Sequence, residues 1–417
     1  MLADLLIHNT SEILTCAGPA PRRGAAQAVV GAIAGGAIAS LNGKIVFVGP
    51  ESEWQRSGSL TPDAAIADAS GGTVVPGFVD AHTHAIFAGD RRSELRRRLA
   101  GATYADIASN GGGIVATVQA TRVASELTLV ADTRRRLEEM LVCGTTTCEI
   151  KSGYGLTTDS ELKLLRAIAS LANDPDQRIE LVPTFMGAHE VPLEFRDRRS
   201  AYVDLVLEEM IPAVAAQGIA EWCDVFCETG VFTPAETRRI LLAARAAGMK
   251  LRLHADELGA SGGSRVAAEL GVRSADHLIY VDEPGADGLA AAGVVATLLP
   301  IASFYLKLGR FAPARMLIER DVPVALATDV NPGAGFSPSM PFAMALACFG
   351  MDLTFEEALN AATINGAYSI DRHDRVGSLE VDKQLDAIIV AGPAIDLIRV
   401  GANVIRWVIK HGEVLPF

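Results

Sequence analysis

Eight short apolar segments recur between residues 74 and 328, and amphipathic helical segments separate most of them. The apolar segments are residues 74–80, 145–150, 179–185, 224–228, 250–254, 275–278, 294–299 and 322–328. The helical segments include residues 127–142, 159–171, 201–216 and 234–247. Strands that alternate with helices form a parallel sheet. Eight such units in about 250 residues predict an α/β fold, a (β/α)8 TIM barrel rather than an open doubly wound sheet.

A dinucleotide-binding sheet is the alternative architecture, and its sequence signature is absent. No Gly-x-Gly-x-x-Gly pattern follows the first apolar segment. The glycines at 111–113 precede a helical segment, but they lack the lysine and the hydroxyl residue of a phosphate-binding loop. The barrel is therefore favoured.

The two ends of the chain have a different pattern, which is typical of antiparallel β-structure. Their apolar runs are residues 38–41, 44–48, 387–390, 404–409 and 413–415. Asn42-Gly43 joins the first two runs and favours a type I′ hairpin turn, because both residues tolerate positive φ. We therefore predict a small β-sandwich domain built from residues 1–73 plus 376–417, beside a barrel of residues 74–375. The Ala-, Gly- and Pro-rich residues 10–37 receive no strand assignment.

Composition narrows the class of protein. The chain has 417 residues, 49% of them hydrophobic, which is enough for a large buried core. The formal net charge of −13 argues against a nucleic-acid partner. No signal peptide and no membrane-spanning segment are evident, and the six cysteines form no Cys-x-x-Cys pair, so we expect a cytoplasmic protein with reduced thiols.

Polar residues cluster where the predicted barrel strands end, and a barrel of this kind carries its chemistry at those ends. His82 and His84 follow the first strand and, being two residues apart, point the same way. Five of the eight histidines fall at such strand ends. The polar blocks are 82–84, 149–154, 187–190, 254–257, 276–277 and 328–333.

This clustering predicts a metal site. Three imidazoles and one carboxylate suit Zn²⁺ or iron and fit Mg²⁺ or Ca²⁺ poorly. The expected ligands are His82, His84, His254 and Asp329. An ion with an open coordination position lowers the pKa of a water molecule and so supplies hydroxide near neutral pH.

The same blocks resemble the amidohydrolase superfamily and, within it, the imidazolonepropionase family. The most specific block is Glu149-Ile-Lys-Ser-Gly-Tyr-Gly155, and others lie at residues 80–84, 101–104, 111–114, 187–189, 254–257 and 328–333. The resemblance covers nearly the whole chain. It implies hydrolysis of the ring amide of 4-imidazolone-5-propanoate to N-formimino-L-glutamate, with one Zn²⁺ or Fe²⁺/Fe³⁺ ion per subunit in a homodimer.

The resemblance also implies a set of substrate-binding residues. Arg91 would bind the propionate tail, since arginine pairs with carboxylates through two parallel hydrogen bonds. The other implied contacts are Tyr154, His189, Glu257, Asn331, Gly333 and Ala334. Family members often carry a hydroxyl residue where Ala334 stands, so a hydrogen bond expected there is in doubt.

Three residues are expected to carry the chemistry. Glu257 would contact the ring nitrogens and help to activate or orient the metal-bound water, because a carboxylate near a cation stays ionised and can accept a proton. Asp329 would share that work while holding the metal. His277 is either a further metal ligand or the group that polarises the substrate carbonyl, and the single-metal resemblance favours the second role. Lys151 raises an alternative, because some amidohydrolases bridge two metals with a carboxylated lysine. That lysine belongs at the fourth strand, whereas Lys151 follows the predicted second strand.

Two alternatives remain open at this point. One is another hydrolase on the same barrel, such as a hydantoinase, a dihydroorotase or a deaminase. The other is a non-catalytic scaffold, which the presence of all four expected ligands disfavours.

Overall fold

The computed structural model describes residues 1–101 and 112–415. Of the sequence blocks that carry the family resemblance, residues 102–104 and Gly111 lie outside the described part of the chain.

Eight parallel strands form the central sheet, and they follow one another in chain order. They are Phe78–Asp80, Thr145–Lys151, Glu180–Ala188, Trp222–Cys227, Lys250–Ala255, Ser274–His277, Val295–Leu298 and Val324–Leu326. Just beyond the first and eighth strands, Asp329 N donates to His82 O at 3.1 Å and His84 N donates to Val330 O at 2.9 Å. These bonds bring the sheet close to a closed (β/α)8 barrel, as the sequence predicted.

Helices surround the barrel, and three of the four predicted helical segments match observed helices to within one residue at each end. The α-helices within the barrel region are Arg92–Leu99, Ile114–Val123, Glu126–Val142, Thr158–Ala172, Arg199–Leu205, Ile211–Gln217, Pro234–Ala246, Gly263–Leu270, Glu283–Ala292, Pro300–Leu306, Ala314–Glu319, Met340–Gly350, Phe355–Ala362 and Ile364–Ser369. Thr233 and Glu236 form a capping box at the start of Pro234–Ala246. No helix among the described residues is both long and apolar enough to cross a membrane.

Both chain termini build two further sheets that pack as a sandwich. One sheet contains Leu2–His8, Gly36–Leu41, Lys44–Pro50 and Ser59–Asp68; the other contains Glu12–Leu14, Ala32–Ala34, Thr73–Pro76, Ala387–Val390, Ile405–Lys410 and Glu413–Leu415. Leu5 and Ile38 of the first sheet share a buried cluster with Ile389 of the second. Asn42 and Gly43 have φ values of 52° and 76°, which fits the predicted type I′ turn.

The structure corrects three sequence predictions. The predicted strand 74–80 is two strands, because the chain leaves the terminal sheet at Pro76 and enters the barrel at Phe78. Gly77 permits this crossing, since a Cβ there would lie 2.4 Å from Thr146 Oγ1. The eighth strand is shorter than 322–328, and the helix at 201–216 is interrupted by a π-helical turn, Val206–Met210.

Residues 10–37, which the sequence left unassigned, contain two short strands and a 3-10 helix, Gly24–Ala28. The side chain of Gln27 lies buried against the eighth barrel strand, where Nε2 donates to Val324 O at 2.9 Å. The division into domains at residues 73 and 376 stays a prediction.

Candidate active site

The predicted site residues converge at the carboxyl ends of the barrel strands. Two of these strand ends bend sharply, because His277 and Asp329 have φ values of 72° and 55°. Non-glycine residues rarely adopt this left-handed conformation, and where they do the strain is often functional. Here it turns both side chains toward the cavity that the strand ends surround.

Three histidines lie close together at the floor of this cavity. Each of His82, His84 and His254 offers a ring nitrogen, and these atoms all lie within 4.8 Å of one another. Nε2 of His84 is 3.2 Å from Nε2 of His254. Asp329 Oδ1 stands 3.7 Å from His82 Nε2 and 3.6 Å from His84 Nε2. The four predicted metal ligands are therefore brought together.

This arrangement fits a metal ion. In a tetrahedral zinc site, ligand nitrogens about 2.0–2.1 Å from the ion lie about 3.3 Å apart, which is close to the observed separation of the His84 and His254 nitrogens. Nε2 of His82 is buried and has no hydrogen-bond partner within the described residues. Burial also lowers the pKa of His82 and His84 well below the usual value, so both rings are neutral and present lone pairs.

Carboxylates fix the orientation of two of these rings. His82 Nδ1 donates to Asp276 Oδ2 at 2.6 Å, and His254 Nδ1 donates to Asp224 Oδ1 at 2.9 Å. Each bond places the ring proton on Nδ1, so that Nε2 keeps a lone pair that could bind a metal ion. Such carboxylate–histidine pairs are common behind metal ligands, where they fix the tautomer.

Buried cations neutralise both carboxylates. Arg252 Nη2 lies 3.1 Å from Asp276 Oδ2, and Lys151 Nζ lies 2.8 Å from Asp224 Oδ2. Lys151 Nζ also contacts Glu149 Oε1 at 2.7 Å. The side chains of all five residues are fully buried. Although burial raises the pKa of Asp224, the charge of Lys151 and the hydrogen bonds from His254 and Lys151 hold it well below its usual value.

Sequence reasoning assigned no role to Asp224, Asp276 and Arg252. The available signal was a charged residue inside a buried strand, since such residues are seldom fully buried unless they are paired. Asp224 interrupts the apolar run Trp222–Cys227, and Arg252 interrupts Lys250–Ala255. The pattern indicates that a partner exists, but it does not identify the partner.

His277 and Glu257 lie beside the histidine cluster. His277 Nε2 is 3.6 Å from Glu257 Oε2, and the rings of His277 and His254 are 5.1 Å apart between centroids. Burial, reinforced by the negative charge of Glu228, raises the pKa of Glu257 to about 8. Burial lowers the pKa of His277 well below its usual value. Glu257 is thus suited to hold a proton near neutral pH, next to a neutral imidazole.

A cavity of about 490 Å³ opens above the histidine cluster. Its lining includes His84, Arg91, Arg98, Tyr154, His189, His254, Glu257, His277, Asp329, Asn331, Gly333 and Ala334. Every predicted substrate-binding residue therefore borders the same space. Of the predicted metal ligands, His82 lies beneath this lining and is fully buried.

One wall of the cavity is aromatic. Tyr154 lies 5.2 Å from His189 and 5.9 Å from His84, measured between ring centroids. His189 Nδ1 donates to Gly153 O at 2.9 Å, which leaves Nε2 as the hydrogen-bond acceptor. Burial lowers the pKa of His189 to about 3, so this ring is neutral.

The opposite wall is a turn that follows the eighth strand. Asn331 Oδ1 accepts from Gly333 N at 2.8 Å and from Ala334 N at 2.7 Å, so this side chain holds the turn from within. Gly335 is required by the turn, because a Cβ there would lie 1.4 Å from Asp329 O. Ala334 borders the cavity without a side-chain hydroxyl.

Comparisons with known proteins agree with this geometry. A model of the amidohydrolase family matches residues 73–415. An imidazolonepropionase of Symbiobacterium thermophilum is 50% identical over 99% of this chain and 97% of that protein. An imidazolonepropionase of Herpetosiphon aurantiacus is 47% identical over 99% of this chain and 97% of that protein.

Solved structures support the fold. The chain superimposes with a TM-score of 0.69 on a zinc-bound adenosine deaminase from Xanthomonas campestris, which is 20% identical, over 99% of this chain and 93% of the other. A triazine hydrolase variant gives a TM-score of 0.74 at 18% identity, with coverage of 99% and 94%. The chain therefore belongs to the amidohydrolase family and, within it, to the imidazolonepropionases.

Proposed function

We propose that this protein hydrolyses the ring amide C–N bond of 4-imidazolone-5-propanoate to N-formimino-L-glutamate, the third step of histidine degradation. The observation that carries this proposal is the presence of Arg91 in the same cavity as His84, His254 and Asp329. A cationic group at one end suits the propionate tail, and the histidine cluster at the other end suits the ring amide.

The ion-binding residues in this proposal are His82, His84, His254 and Asp329. The donor set of three imidazoles and one carboxylate favours Zn²⁺ or iron. When bound, such an ion would polarise the ring carbonyl and lower the pKa of a water molecule. One ion is expected rather than two, because Lys151 is held as a cation between Glu149 and Asp224. A negatively charged carbamate on Lys151 would be repelled by those carboxylates.

Substrate is held by the walls of the cavity. Arg91 pairs with the propionate, while Tyr154 and His189 contact the ring from one side. Asn331 holds the turn whose Gly333 and Ala334 border the opposite side. Water adds to the carbonyl carbon, and the ring C–N bond then breaks.

The residues beside the histidine cluster carry out the proton transfers. With an ion bound nearby, Glu257 would be ionised, because a neighbouring cation favours the charged carboxylate. It then takes a proton from the attacking water and delivers it to the leaving ring nitrogen, so that the atoms of water end on the two sides of the broken bond. His277 stabilises the negative charge that develops on the carbonyl oxygen. Asp329 combines metal binding with a share in the proton transfer.

The proposal also includes a homodimeric assembly and a cytoplasmic location. A homodimer follows from the family, and light scattering of the purified protein would test it. Cytoplasmic location is supported by six cysteines that are all unpaired, four of them buried. Mass spectrometry of thiols labelled in intact cells would test whether they stay reduced.

The first experiment follows the loss of ultraviolet absorbance of freshly made 4-imidazolone-5-propanoate. We expect turnover by the wild type, loss of turnover with a chelator, and recovery with zinc or iron. Arg91→Ala should raise KM by about 10- to 100-fold, because a charged hydrogen-bonded pair is lost. No turnover by the fully metallated wild type would overturn the assignment, and dihydroorotate, hydantoins and aminated heterocycles would then be screened.

A further inference from the structure

Glu94 lies beside Arg91 and has no part in the reaction as described above. It stands in the first turn of helix Arg92–Leu99, and its side chain is buried. Glu94 Oε2 accepts from Arg91 Nε at 2.7 Å, and Glu94 Oε1 accepts from Gly113 N at 2.8 Å. The carboxylate therefore joins the arginine to the start of helix Ile114–Val123.

A purely structural role for Glu94 would be helix capping. In a capping box, a glutamate at this position reaches back to the backbone N–H of the N-cap residue. Glu94 does not do this, since its two oxygens receive the Arg91 side chain and the backbone of a distant glycine. One oxygen is thus directed at the guanidinium group and the other at the N-cap residue of a different helix, and neither caps the helix that contains Glu94.

The guanidinium group of Arg91 is also confined from another direction. A Cβ placed on Gly333 would lie 2.3 Å from Arg91 Nη1 and 2.9 Å from Nη2, so the group packs directly against the glycine backbone. Arg98 Nη1 donates to Gly333 O at 3.2 Å and supports that stretch of backbone. Glu94 contacts the Nε side of the Arg91 guanidinium group, and Arg91 still lines the cavity.

We propose that Glu94 is a positioning residue that fixes Arg91 so that its Nη donors select a carboxylate-bearing substrate. This inference rests on the proposed function. A free arginine side chain loses rotamer entropy when it is fixed. The Glu94 contact fixes it before substrate binds, so less of the binding free energy is lost to ordering.

Both neighbours of the Glu94 carboxylate are hydrogen-bond donors. A carboxylate accepts from both, whereas a glutamine presents one oxygen and one NH₂ group and can accept from only one. The negative charge of Glu94 also weakens the attraction of Arg91 for an anion. Replacing Glu94 removes the contact that orients Arg91, which should weaken binding of a carboxylate. It also removes a nearby negative charge, which should strengthen that binding, and we expect the loss of orientation to have the larger effect.

The experiment uses two stable competitive inhibitors of the metallated enzyme, 3-(imidazol-4-yl)propanoate and its propanamide. In Glu94→Ala, the inhibition constant of the acid should rise about tenfold, as expected for loss of a charge-assisted contact. Inhibition by the amide should change less than twofold, and so should kcat. Glu94→Gln, which keeps the side-chain shape, should fall between Glu94→Ala and wild type.

The matched control is Arg92→Ala, one residue along, which is exposed and pairs with Asp90. It should leave both inhibition constants unchanged. Unfolding temperature and metal content are measured for every variant. If Glu94→Ala proves to be misfolded or poor in metal, the inhibition constants of Glu94→Gln decide the outcome.

The outcomes separate this inference from the proposed function. Failure of the wild type to turn over 4-imidazolone-5-propanoate contradicts the function, while the inhibitor preference still reports on Arg91. If Arg91→Ala abolishes the preference for the acid but neither Glu94 variant reduces it, the function stands and the role of Glu94 is overturned. Equal weakening of acid and amide would also overturn it.

Discussion

The floor and the rim of the cavity hold their side chains by different means. At the floor, His82 and His254 lie at the ends of barrel strands and contact carboxylates that are themselves neutralised by Arg252 and Lys151. At the rim, Arg91 lies at the start of a helix and contacts one buried glutamate and one glycine.

The difference separates residues expected to bind the metal, at the floor, from residues expected to bind the substrate, at the rim. The floor residues share buried charges, so a change in one leaves another charge uncompensated in a medium that solvates it poorly. The rim residues rely on local contacts that can change without reaching the barrel core. We expect floor variants to lose stability and metal together, and rim variants to lose substrate affinity alone.

The largest effect is expected for Lys151→Met. The change leaves Glu149 and Asp224 buried without their cation, and breaking one partner of a buried pair costs about 3–5 kcal/mol of unfolding free energy. Urea unfolding of the chelator-treated protein would measure this loss. Arg166→Ala is the control, because Arg166 and Glu126 form an exposed pair that should contribute at most about 1 kcal/mol. Similar small losses in both variants would contradict the buried-charge account.

Asp224→Asn should act on metal binding rather than on substrate binding. The amide can still accept from His254 Nδ1, but it places an NH₂ group against Lys151 Nζ. Loss of such an outer carboxylate weakens metal affinity by about 10- to 100-fold, which competition with a coloured chelator would measure. Asp204→Asn, at an exposed pair with Arg239, should change nothing. A rise in KM without loss of metal affinity would remove the distinction between floor and rim.

Sequence reasoning found the candidate ligands that the structure brings together because their signal is local. His82 and His84 are two residues apart on one strand end, and His254 and Asp329 end two other strands of a predicted barrel. The order of strands and the capped helix Pro234–Ala246 were predictable for the same reason.

The supporting contacts were not predictable, because they join residues far apart in the chain. Lys151 and Asp224 are 73 positions apart, and only the closed barrel brings their side chains within 2.8 Å. The crossing at Gly77 was missed because residues 74–79 contain no charged or polar side chain and so resemble one strand, although Pro76-Gly77 is a turn signal.

Glu257 should make the folding stability of the protein depend on pH. Its pKa is raised from 4.5 to about 8 in the folded protein, so between these values the folded state keeps a proton that the unfolded state releases. Stability of the metal-free protein should therefore fall as pH rises through this window, by about 1.4 kcal/mol per pH unit from this group. Urea unfolding at pH 6 and pH 7 in a chelator would measure the slope. Glu257→Gln should lower that slope, and an unchanged slope would show that Glu257 is ionised in the fold.

The smallest effect is expected at the rim, for Gly333→Ala. The new methyl group would meet Arg91 Nη1 at 2.3 Å, so the guanidinium must shift and its contact with the substrate carboxylate weakens. Partial loss of one charge-assisted hydrogen bond predicts a rise in KM of about three- to tenfold, with kcat and metal content unchanged. Gly259→Ala is the control, because among the described residues a Cβ there meets only Glu228 Oε1, at an ordinary 3.7 Å. A fall in metal content with the rise in KM would show that the rim reaches the floor through Asp329, four residues away, and the two regions would then have to be treated as one.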